Sequence, residues 1–368
     1  MGRRLWKDRG MPVLDLTQSS AALTRAICDI HSVSGDETPL ADAIEAAVSA
    51  YAHLEVIRDG DTIVARTHLG RDRRVVIAGH IDTVPINRNL PVEDRTVEGE
   101  DVIWGRGTVD MKAGVAVQLK LAAELTDPPV DVTWMWYDHE EVDSALNGLG
   151  RLSRNRPDLF VGDFAILGEP SNGEVEGGCN GTLRAIVRTE GVRAHSARSW
   201  IGENAIHKAA PILARLAEYR AREIEVEGLV YREGLNAVRN SGGVAGNVIP
   251  DACAVEVNYR FAPSRDAAAA TRVVTDVFTG FDVEIVDVAE GARPGLDAAL
   301  AKEFVDAVGA TPKPKYGWTD VARFSALGIP AVNYGPGDPH LAHHDEERVP
   351  LAQIDAVERG LRAWLSAS

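Results

Sequence analysis

Asp131-Val132-Thr133-Trp134-Met135-Trp136-Tyr137 runs without interruption into Asp138-His139-Glu140-Glu141. The first seven residues are short, β-branched and aromatic, the composition of a buried strand rather than a helix. The four that follow switch to acid and imidazole within one step of the chain. Two adjacent glutamates at a strand tip can divide the work of a metal centre, one binding the ion and the other acting as base on a water. Taken alone, the run reads more readily as a solvated acidic loop, since charges belong on surfaces. The rest of the chain decides between the two.

Working outward, other apolar runs end the same way. Residues 73–79 lead into His80-Ile81-Asp82, and Phe164–Leu167 lead into Gly168-Glu169-Pro170. Residues 331–334 lead into Gly335-Pro336-Gly337 and then a histidine cluster, His340, His343 and His344. A glycine-punctuated turn, Gly105-Arg106-Gly107, precedes Asp110-Met111-Lys112 and a helix expected over 115–125. Helices are also expected over 19–29, over 37–48 with Ser34 or Asp36 as cap, and over 351–365. Strands alternating with helices predict an α/β layer fold, a central mixed sheet covered on both faces.

Between these parts the pattern changes. Residues 182–189 alternate, 204–222 are helical, 236–248 and Ala252–Phe261 form a strand pair, 267–278 are helical and 281–288 alternate again. The order βαββαβ is that of a ferredoxin-like split unit. The expected organisation is therefore a catalytic domain over 11–178 and 291–368, an inserted α+β domain over 179–290, and a flexible tail over 1–10.

Ligands in open α/β sheets gather outside the carboxyl ends of strands. His80, Asp110, Glu140, Glu141, Glu169 and His343 are placed to converge there. Histidine and carboxylate without cysteine suit a catalytic zinc-type site. Six such groups exceed one tetrahedral ion but suit a bridged pair with a carboxylate left as base. Asp82, two residues beyond His80 on extended chain, points to the same side and can fix the imidazole tautomer. Arg260, in Tyr259-Arg260-Phe261, offers a fork suited to a carboxylate, with a strand-end ion pair as the alternative.

Composition narrows the partners. The net charge of −16, from 39 basic and 55 acidic residues, disfavours nucleic acid and anionic membranes, both of which need a positive field. An apolar stretch of spanning length is missing. Cys28, Cys179 and Cys253 are odd in number and far apart, which argues against a disulfide framework and for a reducing cytoplasm.

His80-Ile81-Asp82-Thr83-Val84-Pro85, Gly105-Arg106-Gly107 with Asp110-Met111-Lys112, Glu140-Glu141 and Leu167-Gly168-Glu169-Pro170 resemble the dinuclear zinc aminoacylase and carboxypeptidase family. Within it, Glu176 to Gly181, Ala194-His195-Ser196-Ala197-Arg198-Ser199-Trp200 and Gly317-Trp318-Thr319-Asp320 most resemble the actinobacterial desuccinylase branch. The resemblance implies a zinc-peptidase-like catalytic domain with an inserted dimerisation or lid domain. It implies two Zn2+ per subunit, with Co2+ or Mn2+ as substitutes: His80 and Glu169 on one ion, Glu141 and His343 on the other, with Asp110 bridging; the peptide after Asp110 would be cis. Glu140 would be general base and then acid. His195 would reach a neighbouring active site across a homodimer, and Asn247, Thr319 and the backbone of Gly335 would line the substrate.

The implied reaction is removal of succinate from N-succinyl-LL-2,6-diaminopimelate, a step toward diaminopimelate and lysine. Acetylornithine deacetylation, aminoacylase or dipeptidase activity, or a non-catalytic metal-binding dimer, are the alternatives. Two departures concern substrate: Cys179-Asn180 stands where that branch carries paired basic residues, and Gly317-Trp318-Thr319-Asp320 where Gly-Thr-Ser-Asp is usual.

Overall fold

All seven residues of the strand Asp131–Tyr137 are buried. Side chains of a strand alternate between faces, so burial at every position means that both faces of the sheet are covered. The computed structural model describes residues 12–367, so the tail expected over 1–10 lies outside the described residues. Two compact units result, one of residues 12–177, 295–313 and 323–367, the other of Gly178–Pro294 and Pro314–Ala322.

The first unit holds an eight-stranded mixed sheet in the order Glu55–Asp59, Thr62–Arg66, Asp131–Tyr137, Arg74–His80, Phe164–Leu167, Ala331–Asn333, Glu176–Gly177, Lys313–Pro314. Arg74–His80 lies parallel to Asp131–Tyr137 on one side and to Phe164–Leu167 on the other. That arrangement brings three of the acid- or histidine-tipped strands together with their carboxyl ends aligned. The helix Lys112–Glu124 begins three residues earlier than its periodicity suggests, and Lys112 itself is buried. Trp134 and Trp136 belong to the same apolar core as the helices Ser20–Cys28 and Leu351–Leu365.

Ser19 caps the first helix by accepting from the Ala22 N–H at 3.2 Å. The second helix, Thr38–Val48, departs from expectation. Neither Ser34 nor Asp36 caps it; Glu37 stands at the cap position, and its side chain makes no capping bond. The Ser34 and Glu37 side chains turn instead toward the strand ends.

The second unit is a five-stranded antiparallel sheet ordered Arg222–Val226, Leu229–Gly242, Ala252–Phe261, Gly181–Glu190, Asp282–Ala289. Its last four strands have the order of the split βαββαβ unit. Leu183, Ala185 and Val187 pack with Val255, Val257 and Tyr259 into its core. The helix expected over 204–222 is divided into Ala205–Lys208 and Ala210–Glu218, with Pro211 in the first turn of the second. A proline has no N–H to continue an earlier helix but fits the first turn of a new one. The second helix ends at Glu218, and a strand left unassigned by the pattern, Arg222–Val226, follows and joins Leu229 through Glu227 (φ 51°) and Gly228 (φ 82°), a two-residue hairpin with both φ positive. The strand expected over 236–248 begins earlier, at Leu229, and ends at Gly242.

Residues 314–322 group with this unit, whereas the expected boundary left them in the catalytic domain. The reason is hydrogen bonding: Asn180 N–H donates to the Lys315 carbonyl at 3.1 Å, and Trp318 Nε1–H to the Glu290 carbonyl at 3.1 Å. No helix among the described residues is long and apolar enough to cross a membrane.

Candidate metal centre

His80 is the last residue of its strand and pairs in register with Tyr137, after which Ile81 N–H donates to the Tyr137 carbonyl at 2.8 Å. The two strands therefore deliver His80 and Glu140-Glu141 to one edge. Gly168 N–H donates to Ala78 at 3.0 Å and sets Glu169 beside them. Gly335 backs this loop closely: a Cβ there would lie 2.1 Å from the Gly168 carbonyl oxygen, so only glycine fits. Asp110 enters on its glycine-rich turn, and its peptide to Met111 is cis. His343 arrives from the loop beyond Ala331–Asn333 in a left-handed conformation, φ 65°.

Three groups of ligand atoms lie within 4.8 Å of one another: His80, Asp110 and Glu169; Asp110, Glu141 and His343; and His80, Glu140 and Glu141. Asp110 is common to the first two and faces them with different oxygens, Oδ1 at 3.0 Å from His80 Nε2 and Oδ2 at 3.2 Å from His343 Nε2. His343 Nε2 also lies 2.9 Å from Glu141 Oε2. Of the three clustered histidines, His343 is the one brought to these carboxylates. His344 accepts from Glu346 N–H at 3.1 Å, and exposed His340 faces Asp338 at 2.8 Å.

The electrostatics match the donor set. Hydrogen bonds to Asp110 and Glu141 raise the His343 imidazole to about 10. His80 is raised as well: burial opposes its charge, but hydrogen bonds to Asp110 and Asp82 outweigh it. Burial also opposes ionisation of Asp110, yet the His343 and His80 rings hold its carboxyl well below the usual range. Glu141 is pushed up, first by burial and then by the Asp110 charge. A concentrated anionic field of this kind is what divalent cations neutralise. These residues fit such ions in chemistry and in the two-sided presentation of Asp110.

Several buried groups hold the candidate ligands in place. His80 Nδ1 lies 3.0 Å from the Asp82 carbonyl and 3.5 Å from its carboxylate, so the backbone is the nearer tautomer-fixing partner. The Asp82 carboxylate accepts from Glu140 N–H at 3.0 Å, Glu141 N–H at 3.1 Å and Ser34 Oγ at 2.7 Å. Asp138 is gripped by both terminal nitrogens of Arg151, at 2.7 and 2.9 Å, and by Thr62 Oγ1 at 2.6 Å. Glu347 accepts from Val109 N–H at 2.9 Å and Asp110 N–H at 3.1 Å. It also pairs with Arg106 at 2.7 Å, the two side chains being 0% and 4% exposed.

Removing one member of a buried pair strands the other's charge, so Glu347→Ala is expected to cost about 3–5 kcal/mol of stability. Urea unfolding of the chelated protein checks this; an unchanged midpoint would show the pair to be dispensable.

Four expected site residues belong to the other unit. His195 and Asn247 are neighbours there, through the pairing of Ala194–His195 with Val248–Ile249 and a 2.9 Å bond from Ser196 N–H to the Asn247 carbonyl. The exposed His195 ring accepts from Ala197 N–H at Nδ1, at 3.1 Å, which leaves its proton on Nε2. Arg260 donates to Asn258 Oδ1 at 3.1 Å and has no carboxylate partner among the described residues. Thr319 is buried, its carbonyl accepting from Cys179 Sγ at 3.7 Å. Ser34 was legible only as a helix cap and Glu37 only as the start of that helix, and no spacing in the sequence ties them to Asp82 or His139.

Comparison with known proteins adds findings of three kinds. Residues 76–367 match the model of Peptidase family M20/M25/M40. A Mycobacterium tuberculosis protein provisionally named succinyl-diaminopimelate desuccinylase is 55% identical over 356 residues, covering 96% of this chain and 99% of its own. The succinyl-diaminopimelate desuccinylase of Corynebacterium glutamicum is 46% identical, covering 96% and 98%. Among solved structures, a tripeptidase from Staphylococcus aureus superposes with TM-score 0.75 at 19% identity, covering 97% of this chain and 99% of its own. Bacillus subtilis YXEP, described as a dinuclear metal-binding peptidase of the M20 family, superposes with TM-score 0.66 at 16% identity, covering 94% and 96%. At these identities the two structures speak for the fold alone.

Proposed function

The chain belongs to peptidase family M20/M25/M40, and on that premise we propose that it is a metal-dependent amide hydrolase. It removes succinate from N-succinyl-LL-2,6-diaminopimelate, in the biosynthesis of diaminopimelate and lysine. The near-full-length identity to the C. glutamicum desuccinylase carries this reading.

Two zinc ions would be held by His80 and Glu169 on one side and by Glu141 and His343 on the other, with Asp110 between them; cobalt or manganese suits the same donors. Bound there, such a pair supplies Lewis acidity to the amide carbonyl and eases ionisation of water at neutral pH. Glu140 accepts the proton of the attacking water. As the carbonyl carbon–nitrogen bond breaks, Glu140 returns that proton to the leaving amine.

The inserted unit is read as the dimerisation and lid domain. Apolar side chains exposed just beyond His195, Trp200 at 78% and Ile201 at 61%, support an interface with a second copy. His195 of that copy would donate its Nε2–H to the developing oxyanion. Arg260, Asn247, Thr319 and the Gly335 backbone are assigned to substrate. The three free, buried cysteines support a cytoplasmic location.

Succinate release from N-succinyl-LL-2,6-diaminopimelate with added zinc, run beside N-acetylornithine and a dipeptide, tests the reading. The succinyl substrate is expected to be preferred by at least about a hundredfold in kcat/KM, roughly 2.7 kcal/mol of differential transition-state binding. A preference for acetyl or dipeptide would reassign the substrate and leave the site intact. Metal bound with no amide hydrolysed would leave a binding protein.

A further inference from the structure

Three consecutive backbone N–H groups end on carboxylate oxygens from distant parts of the first unit. His139 N–H donates to Glu37 Oε1 at 3.2 Å, Glu140 N–H to Asp82 Oδ1 at 3.0 Å, and Glu141 N–H to Asp82 Oδ2 at 3.1 Å. The first of these residues is the unusual one. His139 has φ 58°, left-handed backbone that costs a residue with a Cβ about 1–2 kcal/mol. Glu37 is 1% exposed, and its other oxygen accepts from Gly35 N–H at 2.8 Å. Its nearest cation-forming partner among the described residues is His139 itself, with Nδ1 3.3 Å from Oε1. A buried carboxylate is costly unless hydrogen-bonded, and this one forgoes capping the helix it heads. It also precedes the 76–367 span matched by the family model.

We infer that Glu37 is a positioning residue for Glu140: by accepting the His139 N–H it holds the left-handed turn from which the Glu140 carboxylate is presented among His80 and Glu141. The inference rests on Glu140 being the base. A purely structural role would pin residues 35–37 to the fold and leave turnover alone. A positioning role acts on the proton-transfer step through the His139 backbone that leads directly into Glu140, while Asp82 anchors the N–H groups of both Glu140 and Glu141.

The test compares Glu37→Ala and Glu37→Gln in the zinc-loaded enzyme and, without metal, by amide hydrogen exchange. Glu37→Ala is expected to lower kcat about 10- to 100-fold, with KM and zinc per chain unchanged. Exchange at residues 139–141 should be faster in the metal-free variant. Glu37→Gln keeps an oxygen for the His139 N–H and should recover most of the rate. In a Glu140→Gln background, Glu37→Ala should cost nothing further, because a group that acts through Glu140 has nothing left to act on. Should the alanine variant fail to fold, Glu37→Asp, one methylene shorter, takes its place. Normal kcat in a folded Glu37→Ala, loss of kcat that tracks loss of zinc, or an undiminished further loss in the Glu140→Gln background would each overturn the inference. A Glu140→Gln enzyme with full rate would instead remove the base assignment. An inactive Glu140→Gln beside a fully active Glu37→Ala removes only the role of Glu37.

Discussion

Glu140→Gln should retain its full complement of metal and lose at least about a thousandfold in kcat, within the range expected when a positioned general acid–base is removed. The substitution keeps the shape of the side chain and an oxygen on it, but an amide takes no proton from water and returns none to an amine. The backbone should stay in place, because the Glu140 N–H is held by Asp82 Oδ1 at 3.0 Å regardless of the side chain. Retention of metal is the discriminating half of the result. Glu140 belongs to one group of candidate ligands, with His80 and Glu141. The other two groups are complete without it and use His80, Asp110, Glu169, Glu141 and His343. Metal analysis after dialysis, beside steady-state kinetics, separates the roles. A variant that loses an equivalent of metal makes Glu140 a ligand; one that keeps both metal and rate moves the base elsewhere.

Where the chain obeys one periodicity from end to end, its fold was legible. Asp131–Tyr137, Phe164–Leu167, Ala252–Phe261 and Leu351–Leu365 have the bounds their patterns imply. The candidate ligands were legible for a related reason: charge at the tip of an apolar strand is conspicuous, and parallel strands place their tips side by side. What failed to show was of two kinds. Local backbone chemistry overrode pattern at Pro211, which begins a new helix inside an apparent single one, and at Glu227-Gly228, which folds Arg222–Val226 back as a strand. Long-range polar contacts left no trace in spacing. Ser34 reads as a cap for the next helix, yet its hydroxyl reaches Asp82 across a sequence separation of 48. Glu347 lies 237 residues from the Asp110 N–H it accepts, and only the folded sheet brings them together. A side chain's partner is fixed by tertiary geometry, whereas its tendency to be buried is fixed locally, so composition marks the candidate ligands and not what holds them.

Asp110→Ala is expected to empty the whole site, in contrast to substitution of any other ligand. Asp110 presents Oδ1 to His80 at 3.0 Å and Oδ2 to His343 at 3.2 Å, so its loss leaves each half with two protein donors, His80 with Glu169 and Glu141 with His343. A catalytic divalent site ordinarily keeps three protein ligands. Electrostatics act in the same direction. Asp110 is the anion that would lie between both cations, and at about 4 Å and an effective dielectric near 20 a unit negative charge attracts a divalent cation by roughly 8 kcal/mol. Glu169→Ala or His343→Ala should each release one equivalent and keep the other, while His344→Ala should keep both. The fold has less reason to suffer, because the Asp110 backbone is fixed by Glu347, which also holds the Val109 N–H at 2.9 Å. The metal-free melting temperature of Asp110→Ala should therefore stay near that of metal-free wild type, while activity falls by at least about a thousandfold and added zinc fails to restore it. Retention of one tightly bound equivalent by Asp110→Ala would show that the two halves bind independently and that this carboxylate does not bridge them.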